Sequence, residues 1–411
     1  MSKIIFYLSL ITTISYSQNF WIKTPFQSGT QESSVYSILA LSNETALAGT
    51  FAFGLFKSTN SGNTWDRLIQ ENLWVKKLVK DNSNKLYAIF VGGSTESGVY
   101  KSTNDGNEWT KVFTPPHDGM STLHIDINNN LYLGFLFYSG EGGIYKSING
   151  GMNWHKIFNL PQNIYTITKT PSGRLIAGSY GKVFFSDDEG LQWNEYSFNL
   201  NFQISEITMD NFGDVYLATE GYGVYKSTNN GVTWSSVRGA GPEYSCIYID
   251  NNNHIYLGTR GYWIYRSTDK GINWSLINSG MGQDNFVLSI GGFRGGYIFA
   301  GMDYAGIYRS ANVVNVESIK DNYEVNFKLE QNFPNPFNPS TVISYSIKES
   351  SFVSISIFNA IGEKMETLIN EFTKPGTYRI EWNAKECPSS VYFCKMSSGE
   401  FSETKKMIFL R

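Results

Sequence analysis

STNSGNTW (residues 58–65), STNDGNEW (102–109), SINGGMNW (147–154), SDDEGLQW (186–193), STNNGVTW (227–234) and STDKGINW (267–274) are six copies of one box, Ser-x-Asn/Asp-x-Gly-x-x-Trp. Their tryptophans lie 44, 45, 39, 41 and 40 residues apart. A fixed period decides the fold before any other pattern does, because each repeat is one supersecondary unit that buries its apolar face only against its neighbours. Each box follows a short apolar strand such as GVYK or GIYK, and two further strands come earlier in the unit, as LHIDI and LYLG do before Ser147. About four strands per unit at a period near 40 predict an all-β propeller. The 39 glycines, 10 tryptophans, 26 tyrosines and 28 phenylalanines are what many short strands and tight turns need.

The box has a turn-level explanation. Its Asn or Asp side chain can bond nearby backbone amides, its glycine tolerates positive φ, and its tryptophan supplies a large apolar body between sheets. Four boxes carry Asn60, Asn104, Asn149 and Asn229, and two carry Asp188 and Asp269, so the position needs an acceptor and not a charge. The role is structural rather than catalytic. These residues resemble the Asp-box, or BNR, repeats of sialidases, sortilin ectodomains, some secreted glycanases and photosystem assembly factors, a resemblance that covers roughly residues 20 to 312 and implies fold more than function.

Counting outward from the boxes gives seven blades. A seventh strand set runs FVLSIGG, YIFAGM and GIYRS, from Phe286 to Ser310, but no box or tryptophan follows it. Forty-four residues before Trp65 stands Trp21, in NFWIKTPF, which looks like the strand that follows a box. The N-terminal strand is therefore expected to complete the last blade and remove an open sheet edge. Residues 18–312 are assigned to the propeller.

At the start of the chain, Lys3, an apolar run from Ile4 to Ile14 and small residues at Ser15 and Ser17 predict a signal peptide over 1–17. The run is too short for a membrane span, which needs about 20 residues, so no transmembrane segment is expected. After the propeller, 313–326 reads as a polar linker. Residues 327–411 then show alternating strands and Pro/Gly turns, as expected of a small immunoglobulin-like β-sandwich. The string QNFPNPFNPST, with Pro334, Pro336 and Pro339, closely resembles the type A sorting domain of the type IX secretion system. That resemblance implies a Bacteroidetes-type bacterium, export through that machinery as partner, and a secreted or cell-surface protein. Ser389-Ser390 stand where the family usually has a glycine.

Thirty-three basic residues against 36 acidic ones give a net charge of -3, and no Lys/Arg block is present to track phosphates, so nucleic acid is excluded as a partner. Among three cysteines, Cys387 and Cys394 are candidates for a disulfide, and their pairing is left open. His117, His124, His155 and His254 are scattered without metal-ligand spacing, and no nucleophile elbow or phosphate loop occurs. No metal or other cofactor is expected.

In a propeller the box turns lie at one end, and the loops between second and third strands lie at the other. Those loops offer Phe53, Phe137, Tyr138, Tyr180, Tyr222, Tyr262, Trp263 and Tyr304, with Glu96, Glu141, Glu220, Arg260 and Asp303 between them. Aromatic faces cover sugar C–H patches and carboxylates accept from hydroxyls, so the set suits polysaccharide. The ligand-binding residues expected are Phe53, Tyr138, Tyr180, Tyr222, Arg260, Tyr262, Trp263 and Tyr304. A packed plug of the channel is the alternative for the aromatics. A glycoside hydrolase would draw its carboxylate pair from Glu220, Asp303 and Glu141, and a protein-binding scaffold is the third reading. Sialidase activity is not expected, because of the propeller arginines only Arg260 faces the mouth by strand position. The function expected is non-catalytic binding.

Overall fold

A computed structural model describes residues 19–312 and 327–410, apart from 27–32, 43, 70–71, 94–95, 139–140, 160, 239–240, 293–295, 333–334, 349, 374–375 and 400. The expected signal peptide and linker lie outside these. The chain divides into two compact units, Met1–Val316 and Glu317–Arg411, and the described residues of both are all β.

Seven four-stranded antiparallel sheets make up the described part of the first unit. Numbered along the chain, blades 1 to 7 have inner strands Val35–Ala40, Trp74–Lys80, Met120–Ile125, Thr166–Lys169, Ile204–Met209, Tyr244–Ile249 and Val287–Gly292. Blades 1 to 6 are simple meanders, each ending in the strand that follows its box. Blade 7 takes its outer strand from the other end of the propeller: Trp21–Lys23 pairs antiparallel with Ile307–Ser310. Trp21 is 1% exposed, and its indole N–H donates to the Ile277 carbonyl at 2.7 Å. The closing strand is thus anchored to blade 6 as well as to blade 7.

All six boxes make the same bonds. In the Ser147 box, the serine hydroxyl donates to Asn149 Oδ1 and accepts from the Gly151 amide, while Asn149 Oδ1 accepts from the Asn153 amide at 2.9 Å. Asp188 and Asp269 accept in the same way, and the amides of Gln192 and Asn273 hold their carboxyls below the usual range. The glycine is required twice over. At Gly62 φ is +77°, and an added Cβ would lie 2.3 Å from Phe299 of blade 7. The remaining box glycines likewise abut the preceding blade, Gly106 against Leu47 and Gly151 against Val112. A box therefore docks one blade onto the last, which is why it recurs at blade spacing.

A second repeated turn joins the first two strands at the same end. Asp81, Asp126, Asp210 and Asp250 each accept from the amides two and four residues on, as Asp126 Oδ1 does from Asn128 and Asn130.

The second unit packs two sheets face to face. One contains Lys328–Leu329, Ser340–Ile347 and Gly376–Asn383; the other contains Lys364–Thr373, Ser351–Phe358, Ser390–Ser398 and Phe401–Phe409. Strict alternation over Ser340–Ile347 sends Thr341, Ile343, Tyr345 and Ile347 inward; the last three join Ile355, Trp382, Tyr392 and Phe409 in the core, and Thr341 accepts from the Asn332 side-chain amide. The Tyr392 hydroxyl donates to the Pro388 carbonyl at 2.8 Å, tying down the turn that carries Ser389-Ser390. Cys387 and Cys394 are both free thiols, and burial pushes Cys394 up to about 12.

Candidate functional site

Antiparallel meanders place the turns between first and second strands, and between third and fourth, at one end of the propeller. The opposite end collects the loops between second and third strands together with the lead-ins to each inner strand. Two rings of side chains meet there.

The outer ring occupies one position in every blade, five residues after the start of the second strand: Phe51, Val91, Leu136, Tyr180, Glu220, Arg260 and Asp303. The backbone explains the equivalence. Phe51, Leu136, Glu220, Arg260 and Asp303 each donate an amide to the carbonyl of the residue leading into their own inner strand, at 2.8 to 3.0 Å. Isolated bridges from Tyr180 to Gln203, Glu220 to Glu243 and Arg260 to Phe286 then tie blades 4, 5 and 6 to the next blade. Blades 1 to 3 present apolar side chains on this ring, and blades 4 to 7 present polar ones.

The inner ring comes from β-bulges. Six inner strands are bulged at one residue, namely Tyr36, Lys76, Ser121, Ser205, Ser245 and Leu288. Tyr165 occupies the corresponding place in blade 4. A bulge re-aims its side chain, and all seven residues line an axial cavity of about 190 Å³. Serine hydroxyls stitch this ring: Ser121 donates to Ile164 O, Ser205 to Tyr244 O, Ser245 to Val287 O, and Ser289 to Val35 O at 2.8 Å. Across the same cavity Lys77 of blade 2 meets Glu206 of blade 5 at 2.9 Å, and Glu206 also accepts from the Ile247 amide. The Glu206 carboxylate raises the Lys77 ammonium above its ordinary range, against the opposing effect of burial.

The two rings share one field. Burial raises the Tyr36 hydroxyl, and Asp303, Arg260 and Tyr304 act on it through space. Tyr165 is raised by burial as well, with Glu220 and Tyr180 among the groups that reach it. Arg260 stands 3.5 Å from Glu220 and 3.9 Å from Glu243. Burial pushes the Glu220 carboxyl up, Arg260 pulls it down, and Glu243 adds to the rise. Asp303 accepts from the Ser34 hydroxyl at 2.5 Å. On the apolar side, Tyr36 and Phe51 pack against Trp74 with centroids 5.0 and 5.3 Å away, and Lys76 lies 4.4 Å over the Trp74 ring.

Glu220, Arg260, Asp303 and Tyr180 thus come together on the outer ring. Tyr138, Tyr180, Tyr222, Tyr262 and Tyr304 are 40–68% exposed. Phe53 and Trp263 are placed differently: Phe53 packs against the core between blades 7 and 1, under Arg67, and Trp263 packs between blades 6 and 7. The Glu141 side chain lies outside the described residues. Sequence reading missed Tyr36, Trp74, Lys76, Tyr165 and Glu243. Their signal was positional, since all lie at or just before an inner strand, at the same end as the loops that were read. Among the described residues no group of three or more His, Cys, Asp or Glu could hold a metal ion, and no helix is long and apolar enough to cross a membrane.

Residues 331–410 match the secretion system C-terminal sorting domain family. The chain is a β-propeller with a secretion sorting tail. The tail implies the type IX secretion machinery as partner and a secreted or cell-surface location. Among solved structures, YCF48 from Cyanidioschyzon merolae is similar, with 15% identity and a TM-score of 0.56 over 71% of this chain and 98% of that one. The GH74 xyloglucanase of Xanthomonas campestris gives 16% and 0.58 over 79% of this chain. The extracellular domain of a hybrid two-component system from B. thetaiotaomicron gives 16% and 0.58 over 86%. This propeller protein spans 59% of the xyloglucanase chain and 47% of the two-component chain. At such identities the likeness concerns the fold alone. No curated protein matches the chain.

Proposed function

We propose that the propeller is a non-catalytic binding module of the cell surface or medium that takes polysaccharide at its mouth. The single observation carrying this reading is the outward display of Tyr138, Tyr180, Tyr222, Tyr262 and Tyr304 around Arg260, Glu220 and Asp303. Exposed rings offer flat apolar area to sugar faces, and the charged groups between them accept from and donate to hydroxyls. The six boxes are read as Asp-box turns that hold the ring in shape. Residues 1–17 are read as the signal peptide that starts export.

A glycoside hydrolase is the second reading, and the raised Glu220 carboxyl favours it, since a general acid must hold its proton near neutral pH. Asp303, its candidate partner, is engaged by the Ser34 hydroxyl. Incubating the protein with soluble and insoluble glycans, while recording retention and released reducing ends together, separates the two. Retention without release, lost in Tyr222→Ala and Tyr262→Ala, supports the binding module. Release abolished by Glu220→Gln replaces it with the hydrolase, and neither signal across the panel sinks both.

A further inference from the structure

Lys76 and Lys77 are neighbours on the inner strand of blade 2, and both line the axial cavity. Their surroundings differ in kind. Lys77 faces the Glu206 carboxylate at 2.9 Å and is held as an ammonium. Lys76, turned by the bulge, donates to the neutral Met120 carbonyl at 2.8 Å and lies over Trp74, with no ion pair among the described residues. Of the ionisable groups around it, Tyr36, Tyr165 and Cys246 are neutral at pH 7 and are raised further by burial, Lys77 and Glu206 form an ion pair, and Asp118 is the carboxylate whose field reaches it. Burial lowers Lys76 to about 8, with Asp118 opposing.

We propose that Lys76 is an imine-forming amine that takes small aldehydes into the axial cavity. The neutral Nζ attacks the carbonyl carbon, a C–N bond forms, and the carbonyl electron pair moves to oxygen. Proton transfer gives a carbinolamine, which loses water to leave the C=N bond, so no oxidant or reductant is required. Desolvated lysines serve this chemistry because the free amine, not the ammonium, is the nucleophile. At pH 7 a lysine near 8 offers about 300-fold more free amine than one at 10.5. Its weaker basicity gives back part of that, so a net gain of about tenfold is the expected reading. A cavity of about 190 Å³ limits the partner to a few carbons.

The test uses the full chain, glycolaldehyde as probe, and cyanoborohydride to trap the imine, with site-resolved peptide mass spectrometry. Lys76 is expected to be modified at least tenfold faster than the exposed Lys364 at pH 7, with Lys77 nearly untouched. Its rate should climb with pH and flatten above about 8. Periodate-oxidised dextran, too large for the cavity, should leave Lys76 unmodified while labelling Lys364. Equal rates at Lys76 and Lys364, a rate still rising beyond pH 9.5, or labelling by the dextran would each overturn the proposal. The glycolaldehyde rates and their pH profile do not depend on whether the mouth binds polysaccharide, and they separate a failure of this proposal from a failure of that reading.

Discussion

The two ends of the propeller are built on the same seven sheets and differ in what they repeat. At the box end the same three hydrogen bonds occur six times, and each box glycine is pressed against the blade before it. At the mouth the backbone repeats but the side chains do not: Phe51, Val91, Leu136, Tyr180, Glu220, Arg260 and Asp303 hold one position with three apolar and four polar groups. Repetition marks where blades must dock, and variation on a fixed backbone marks where a surface is free to recognise something.

Removing the closing strand should break the comparison most completely. Deletion of residues 18–28 strips Trp21 from the blade 6–7 core and leaves Ile307–Ser310 as an open edge. The expected outcome is loss of the cooperative thermal transition of the propeller; a truncated protein that melts like the full one would contradict ring closure. Within the ring, Gly62→Ala should cost about 2–4 kcal/mol, because a positive φ and the Phe299 ring both oppose the new methyl. Urea titration of that variant reads the loss as a lower midpoint.

His124 sits partly buried on the inner strand of blade 3, accepts from the Lys169 amide at 3.2 Å, and is lowered by burial to about 4. The unfolded chain takes up the proton near 6.5, so the folded state loses up to about 3 kcal/mol as pH falls from 6.5 to 4. His124→Gln keeps an acceptor for Lys169 and should flatten that decline, measured as melting temperature against pH. The smallest stability effect belongs to the mouth. Tyr262→Ala removes an exposed ring and should change stability by less than about 0.5 kcal/mol, while reducing glycan retention. A large loss of stability there would erase the contrast between the two ends.

Much of the mouth was legible as loops between second and third strands, since antiparallel geometry alone sends them to one end. Phe53 and Trp263 show the limit: Phe53 holds the loop position of exposed Tyr222 and Tyr262, Trp263 stands where blades 1, 5 and 7 carry Gly54, Gly223 and Gly306 and keeps their positive φ, and both rings turn into inter-blade cores. Loop membership fixes an address and leaves the rotamer to the packing. The bulges were not legible, because the one-residue shift of alternation they cause, as in Ile204–Met209, looks in a strand of six or seven residues like an ordinary irregularity of the pattern.

What the sequence by itself determined is whatever is local and repeated: the blade period, the box turns, the displaced N-terminal strand betrayed by Trp21, and the sorting tail betrayed by QNFPNPFNPST. The box turns rest on hydrogen bonds two to four residues long, and the period, the displaced strand and the tail are marked by short strings that stand out along the chain even though the closing strand pairs with Ile307–Ser310 at the far end of the propeller. The contrast between Lys76 and Lys77 was decided only in three dimensions. It depends on a bulge and on Glu206, 129 residues away from Lys77 along the chain and brought to it by closing the ring.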